Sequence, residues 1–360
     1  MSRSLIRCQK VRRFLSSKKL DALLISNPVN VRYLSGFTGG DSTLLIRRDS
    51  ATLLSDGRFT LQIEEECPDI DDVYIRPNNE AMTAATAKLC RQAKVGRLGV
   101  EAASLTLAEN DEIKSKLPKT EIISTYGVVE TLRQIKDRNE IDAIRRAIDV
   151  AARAFTDIRN GLRPEQTEIE LRNDLEYRMR QYGAEDRSFP TIIAAGPRAA
   201  LTHAVPSSQC LGDHPMLLVD WGAVVEGYRS DLTRVVVLLP TKKLRTVYET
   251  VRKAQRAAID AIRPGKTGEE IDAVARSVIK DAGFAKAFNH GLGHSFGLEV
   301  HEDPRFKIAD QTVLKPGMVL TVEPGIYLKG WGGVRIEDDV LITKTGCEVL
   351  SRHLPNHFEG

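Results

Sequence analysis

The sequence predicts an α/β protein in two parts: a smaller N-terminal α/β domain of mixed sheet over residues 1–125 and, after a linker at 126–137, a larger domain over 138–360. Two observations carry this reading. In the first part short apolar runs alternate with helix-period stretches, the rhythm of strands layered with helices. In the second part the helix punctuation changes its spacing and then repeats about 100 residues later.

The chain begins with Leu5, Val11, Phe14 and Leu15 at helical spacing among Arg3, Arg7, Lys10, Arg12 and Arg13. So basic a stretch invites a targeting-peptide reading. It lacks the long apolar run of a secretory signal, however, and is taken as an ordinary first helix. Residues 22–25 form a buried strand ended by Ser26-Asn27-Pro28. Residues 42–46 and 51–54 form a hairpin, 81–93 a helix and 98–100 a further strand. A helix over 138–159 opens the second part.

That part repeats itself. One helix ends at Gly161-Leu162-Arg163-Pro164, after which Thr167 stands as an N-cap with Glu168 and Glu170 in the next turn. Another, over 243–262, ends at Arg263-Pro264-Gly265, and Thr267 follows with Glu269 and Glu270. The two caps are 100 residues apart, and Gly183 and Gly283 stop the helices that follow them. His203 and His301 lie 36 and 34 residues after their caps, Asp220 and Glu323 53 and 56 after. Two copies of a helix–helix–hairpin unit would bring a histidine and an acidic hairpin each to a shared centre.

The run Met216–Trp221 is a buried strand broken by one carboxylate, and residues 228–237 form its partner. Folded about residues 225 and 226, the pair sets Asp220 opposite Asp231, with Cβ atoms roughly 4.5–5.5 Å apart. Two carboxylates so close among apolar neighbours repel and resist desolvation, and a cation between them relieves both costs. In the second copy, a hairpin centred on Gly330 sets Glu323 opposite Glu337, with Asp338 and Asp339 as rivals. Arg335 shares the Glu337 face, either holding a carboxylate or making an ordinary cross-strand ion pair. Between the hairpins, His290, His294 and His301 stand in a Gly-rich segment, where glycines let backbone come close to a ligand.

Other chemistries are excluded. His301-Glu302 is not a zincin motif, because Arg305 stands where the second histidine is needed. No nucleophile elbow, P-loop or dinucleotide fingerprint is present. Five cysteines without a C-x-x-C pair argue against disulfides or a thiolate zinc site and for a reducing, cytoplasmic setting. With 52 basic against 49 acidic residues, the net charge of +3 implies neither a nucleic-acid nor a membrane partner. No run approaches the ~20 apolar residues that span a bilayer. Four carboxylates and one imidazole suit two hard or borderline divalent ions, Mn²⁺ first and Co²⁺ or Zn²⁺ as alternatives. Two such ions can activate a water and polarise a carbonyl, and the chemistry that follows is hydrolysis.

These residues resemble the metallopeptidases that share the pita-bread fold of methionine aminopeptidase, and among them the aminopeptidase P and prolidase branch. The matching stretches are 188–196, His203-Ala204-Val205-Pro206, Asp220-Trp221-Gly222, 228–234, Gly293-His294 through Pro304, Gly317 through Tyr327, and Gly333 through Asp338. Residues 30–39 and 56–59 are similar, more softly, to the family's creatinase-like N-terminal domain. The resemblance implies an α+β pita-bread (creatinase/aminopeptidase) catalytic domain, a substrate-restricting N-terminal domain and a homodimer. It implies that Asp220 binds one metal, Asp231 and Glu337 bridge, and His294 and Glu323 hold the second. His203 and His301 then match positions that hold substrate and stabilise the tetrahedral intermediate, and His290 one that supports the ligands. Glu323 is the expected proton acceptor. The implied reaction is cleavage of the Xaa-Pro bond at the amino end of a small peptide. Broader aminopeptidase activity is the alternative, and a catalytically dead peptide-binding module is disfavoured because no ligand position is lost. One departure is Ser295-Phe296, where the family often has glycine and a small aliphatic residue; Phe296 either narrows the pocket or, the favoured reading, packs beneath it.

Overall fold

The structure is a computed structural model describing residues 2–212 and 214–358. The chain divides after Arg133 into two compact units. In the first, α1 (Arg3–Lys18), β1 (Ala22–Ile25), α2 (Pro28–Ser35), β2 (Thr43–Arg47), β3 (Ala51–Asp56) and α3 (Thr60–Glu66) come first. They are followed by β4 (Asp72–Arg76), α4 (Met82–Gln92), β5 (Arg97–Glu101), α5 (Leu107–Lys116), β6 (Glu121–Thr125) and α6 (Val128–Arg133). The strands form one sheet in the order β4-β3-β2-β1-β5-β6. β1, β2 and β3 pair antiparallel, whereas β3–β4, β1–β5 and β5–β6 are parallel, so the sheet is mixed. The basic start of the chain folds as α1, burying Cys8, Val11 and Leu15. The stretch 126–137 contains α6.

The second unit runs through α7 (Arg138–Asn160), α8 (Glu168–Gln181), β7 (Asp186–Arg187), β8 (Ile192–Ala195), β9 (Met216–Trp221), β10 (Ala223–Val225), β11 (Tyr228–Arg229) and β12 (Leu232–Val237). Then come α9 (Lys242–Ala261), α10 (Gly268–Asp281), β13 (Gly293–Ser295), β14 (Glu302–Phe306), β15 (Val319–Val322), β16 (Gly325–Leu328), β17 (Gly332–Arg335), β18 (Asp338–Ile342) and β19 (Cys347–Val349). The two halves begin alike. Thr167 and Thr267 each accept from the backbone N–H three residues on, and Glu170 and Glu270 reach back to the cap N–H. Such reciprocal capping typically stabilises a helix start by about 1 kcal/mol. Each cap residue also bridges to a later strand-like residue, Cys210 in one half and Val313 in the other.

The sheets repeat the same order. β9 lies between β8 and β12, and β15 between β13 and β18, all antiparallel. Each middle strand ends in an acid, Asp220 within β9 and Glu323 just past β15. The later neighbour of each middle strand is preceded by one, Asp231 before β12 and Glu337 before β18. β9 is buried on both sides, which explains the continuous apolar run from Met216 to Val219. Leu217 and Val219 pack with α7 and α8 through Phe155 and Leu175. Met216 and Leu218 face a second core shared with α9, α10 and β15. By strand alternation Asp220 faces that second side, toward the other half.

Candidate metal centre

The first hairpin differs from the register expected of it. Asp220 pairs with Thr233, not with Asp231, which lies two residues earlier. The turn residues are Glu226 and Gly227, both left-handed at φ 53° and 78°. That is the geometry of a two-residue type I′ turn, whose twist matches the strands. Its centre therefore lies one residue beyond the expected one, and the partner moves by two. Because a strand alternates with period two, a shift of two keeps the face. Asp231 thus stays on the side of Asp220, diagonally placed.

The second hairpin has the expected register. Val322 pairs with Asp338 and Gly325 with Arg335, bracketing Glu323 and Glu337. His294 arrives from β13, next to β15. A Cβ on the preceding Gly293 would lie 2.1 Å from the Thr321 carbonyl oxygen, so only glycine permits this approach.

These segments bring the acids together. Carboxylate oxygens of Asp220, Asp231 and Glu337, all buried, lie within 4.8 Å of one another. His294 Nε2 lies 3.7 Å from Asp231 Oδ2 and 3.4 Å from Glu323 Oε1. Asp231 belongs to both groups. His294 Nδ1 is 3.1 Å from the Ser295 carbonyl oxygen, which can only accept, so the ring proton sits on Nδ1. Burial holds this imidazole down at about 3, neutral, and Nε2 turns a lone pair toward two carboxylates.

Burial pushes Asp220 up and Glu323 up to about 7. It pushes Asp231 and Glu337 well above the carboxylate range, and neighbouring acids raise both further. Asp220 Oδ1 is buried without a hydrogen-bond partner. An orphaned carboxylate oxygen, an unprotonated imidazole nitrogen and mutually repelling acids form a donor set that fits divalent cations.

The remaining atoms are held firmly. Arg335 makes three side-chain bonds: Nη2 donates to Asp220 Oδ2 at 2.5 Å, Nε to Thr233 Oγ1 at 3.0 Å and Nη1 to the Tyr327 hydroxyl at 2.8 Å. Thr233 in turn donates to Glu337 Oε2 at 2.6 Å. Tyr327 lies 3.0 Å from His290 Nε2, whose Nδ1 proton goes to the Gly291 carbonyl. Burial keeps His290 neutral, down at about 4. Of the rival acids, Asp338 is taken by Arg234, Ser351 and Gln255. Asp339 sits behind Asp231, accepting its backbone N–H.

All five expected ligand positions line one cleft of about 870 Å³, together with His203, His290, His301 and Arg335. The His301 ring lies 4.5 Å from that of His294, and burial lowers its pKa. Phe296 is fully buried. Sequence reasoning missed Thr233, whose hydroxyl joins Arg335 to Glu337 across more than 100 residues. Its only signal was its place in the strand beside two acids.

Comparison with known proteins adds the following. Residues 142–344 match the model of Metallopeptidase family M24, and residues 7–135 that of the Creatinase/Prolidase N-terminal domain. A protein of Pyrococcus furiosus named Xaa-Pro dipeptidase is 37% identical over 357 residues, covering 96% of this chain and 97% of that one. The solved structure of Xaa-Pro dipeptidase from Bacillus anthracis superposes with a TM-score of 0.93 at 36% identity, over 97% of this chain and 98% of that one. X-Pro aminopeptidase from Thermotoga maritima gives 0.88 at 36% identity, over 94% and 97%.

Proposed function

Because this chain belongs to Metallopeptidase family M24, with a Creatinase/Prolidase N-terminal domain before its catalytic region, we propose that it hydrolyses the Xaa-Pro bond at the amino end of small peptides with the help of two divalent ions. The observation that carries the reading is the pair of overlapping donor groups sharing Asp231. One ion would be held by Asp220, Asp231 and Glu337, the other by Asp231, His294, Glu323 and Glu337. Mn²⁺ is the first choice because oxygen donors dominate, with Co²⁺ and Zn²⁺ as alternatives. When bound, such ions supply Lewis acidity and a lowered water pKa.

The chain's own residues do the rest. Arg335 and Thr233 fix Asp220 and Glu337, so their free oxygens are set before any ligand arrives. Glu323 borders the cleft and accepts the proton of the attacking water on its carboxylate. His203 and His301, open to the cleft, donate to the substrate and to the oxyanion that develops on its carbonyl. Proline at the cleaved bond brings no N–H, so the apolar wall of Phe189, Pro190 and Ile192 receives a ring rather than a hydrogen-bonding backbone. The names of the relatives support the Xaa-Pro preference, and they divide between dipeptidase and aminopeptidase. The reading extends to a cytoplasmic homodimer.

The test is a panel of Xaa-Pro dipeptides beside Xaa-Pro-Yaa peptides, after chelation and after return of each metal. Loss on chelation with recovery in Mn²⁺ supports the reading. Full activity in chelator, or equal rates on peptides without proline, contradicts it.

A further inference from the structure

Glu168 is the first residue of α8, directly after the Thr167 cap, where a carboxylate ordinarily faces solvent. Here its side chain is fully buried. Its Oε1 accepts from Ala195 N at 2.9 Å, and its Oε2 from Ser207 N and Ser207 Oγ, both at 2.8 Å. Arg198 Nε lies 3.0–3.1 Å from the two oxygens. Ala195 and Ser207 are the two ends of the 196–206 loop, and Arg198 lies within it. The same guanidinium crosses the loop, Nη2 donating to the Val205 carbonyl at 2.5 Å.

That loop presents His203 to the cleft. Among the described residues the His203 side chain makes no hydrogen bond of its own, so its place is set by the loop backbone. The helix cap does not need the carboxylate. In the other half Thr267 caps α10 in the same way while Gly268 occupies the corresponding position, and a Cβ there would lie 2.1 Å from the Arg305 carbonyl oxygen. Glu168 therefore serves something other than the helix start.

We propose that Glu168 is a positioning residue, which with Arg198 clamps the 196–206 loop and so fixes His203 against the substrate. This rests on the reading of His203 as a substrate-contacting group. A misplacement of about 1 Å at such a group costs up to about 100-fold in rate. The test is a double-mutant cycle on the Mn²⁺-loaded protein, with kcat and KM for an Xaa-Pro dipeptide and bound metal measured throughout. Glu168→Gln keeps the shape but puts an amide donor among donors. It is expected to lower kcat/KM at least about 10-fold with bound metal unchanged, yet by less than about 2-fold in a His203→Ala background. Arg198→Ala, which cuts the tie to Val205 from a partly exposed side chain, goes through the same cycle and decides the matter if Glu168→Gln fails to fold. Equal losses in both backgrounds overturn the inference while leaving the role of His203 intact. Wild-type kcat/KM in His203→Ala alone overturns that role and the inference with it.

Discussion

Asp231→Asn is the most discriminating single change, because it should act oppositely on stability and on function. Asp231 is buried beside Asp220 and Glu337, with acid oxygens within 4.8 Å. At an effective dielectric of ~20, each fully ionised neighbour at that distance costs about 3 kcal/mol. Proton uptake caps the sum, so the net relief on removing one carboxylate is roughly 1–3 kcal/mol. In chelator at pH 8 the variant should therefore melt above the parent, by roughly 2 to 10 °C for a cooperative unit of this size. It should also lose the stabilisation by Mn²⁺ and the hydrolysis of Xaa-Pro peptides together, since the missing carboxylate serves both donor groups. Paired thermal melts with chelator and with Mn²⁺, alongside metal analysis, read all three effects. A variant that melts lower than the parent in chelator, or that keeps two equivalents of metal, refutes the reasoning.

Three further outcomes are expected. Thr233→Val keeps the volume but removes the hydroxyl between Arg335 and Glu337; Mn²⁺ affinity should fall about 10-fold and stability by about 1–3 kcal/mol, read by titration and melting. Lys136, almost fully buried, bonds Ser295 Oγ at 2.8 Å and Glu302 Oε2 at 3.2 Å; Lys136→Met should cost about 3–5 kcal/mol, much of it recovered when Glu302→Gln is added. The third concerns pH. Glu323 rises from 4.5 to about 7 on folding, so the native state keeps a proton that the unfolded chain releases. Its contribution to stability is full below pH 4.5 and lost as pH rises through about 7. A cation takes the proton's place, so the rise in melting temperature produced by Mn²⁺ should be larger at pH 8 than at pH 5.5. A larger rise at pH 5.5 would reverse the sign and sink that argument.

What the sequence disclosed was mostly local. Thr167 and Thr267 announce their helices because a cap and its glutamate sit three residues apart, and both capping boxes are present. The glycines around Gly330 fix the second hairpin, and its register follows. The first hairpin was misplaced because one of its left-handed turn residues is Glu226, a residue type that gives no warning of positive φ. The two-residue error left the site legible because the face survived it. Arg335 was visible as a member of the right strand, but its partner Asp220 lies 115 residues away in sequence. Glu168 and Lys136 were not legible at all in their roles. Their bonds reach segments 27 to 166 residues away, and nothing local distinguishes them from the solvated charges of a helix start and a linker.

The central claim is that residues from five separate segments hold two cations side by side, and anomalous scattering from crystals of the Mn²⁺-loaded protein measures this most directly. Two peaks ~3.5–4 Å apart are expected, one against Asp220 and the other against His294 and Glu323, with Asp231 and Glu337 between them. No peak within the cleft, or metal bound elsewhere on a chain still active on Xaa-Pro peptides, would contradict the account.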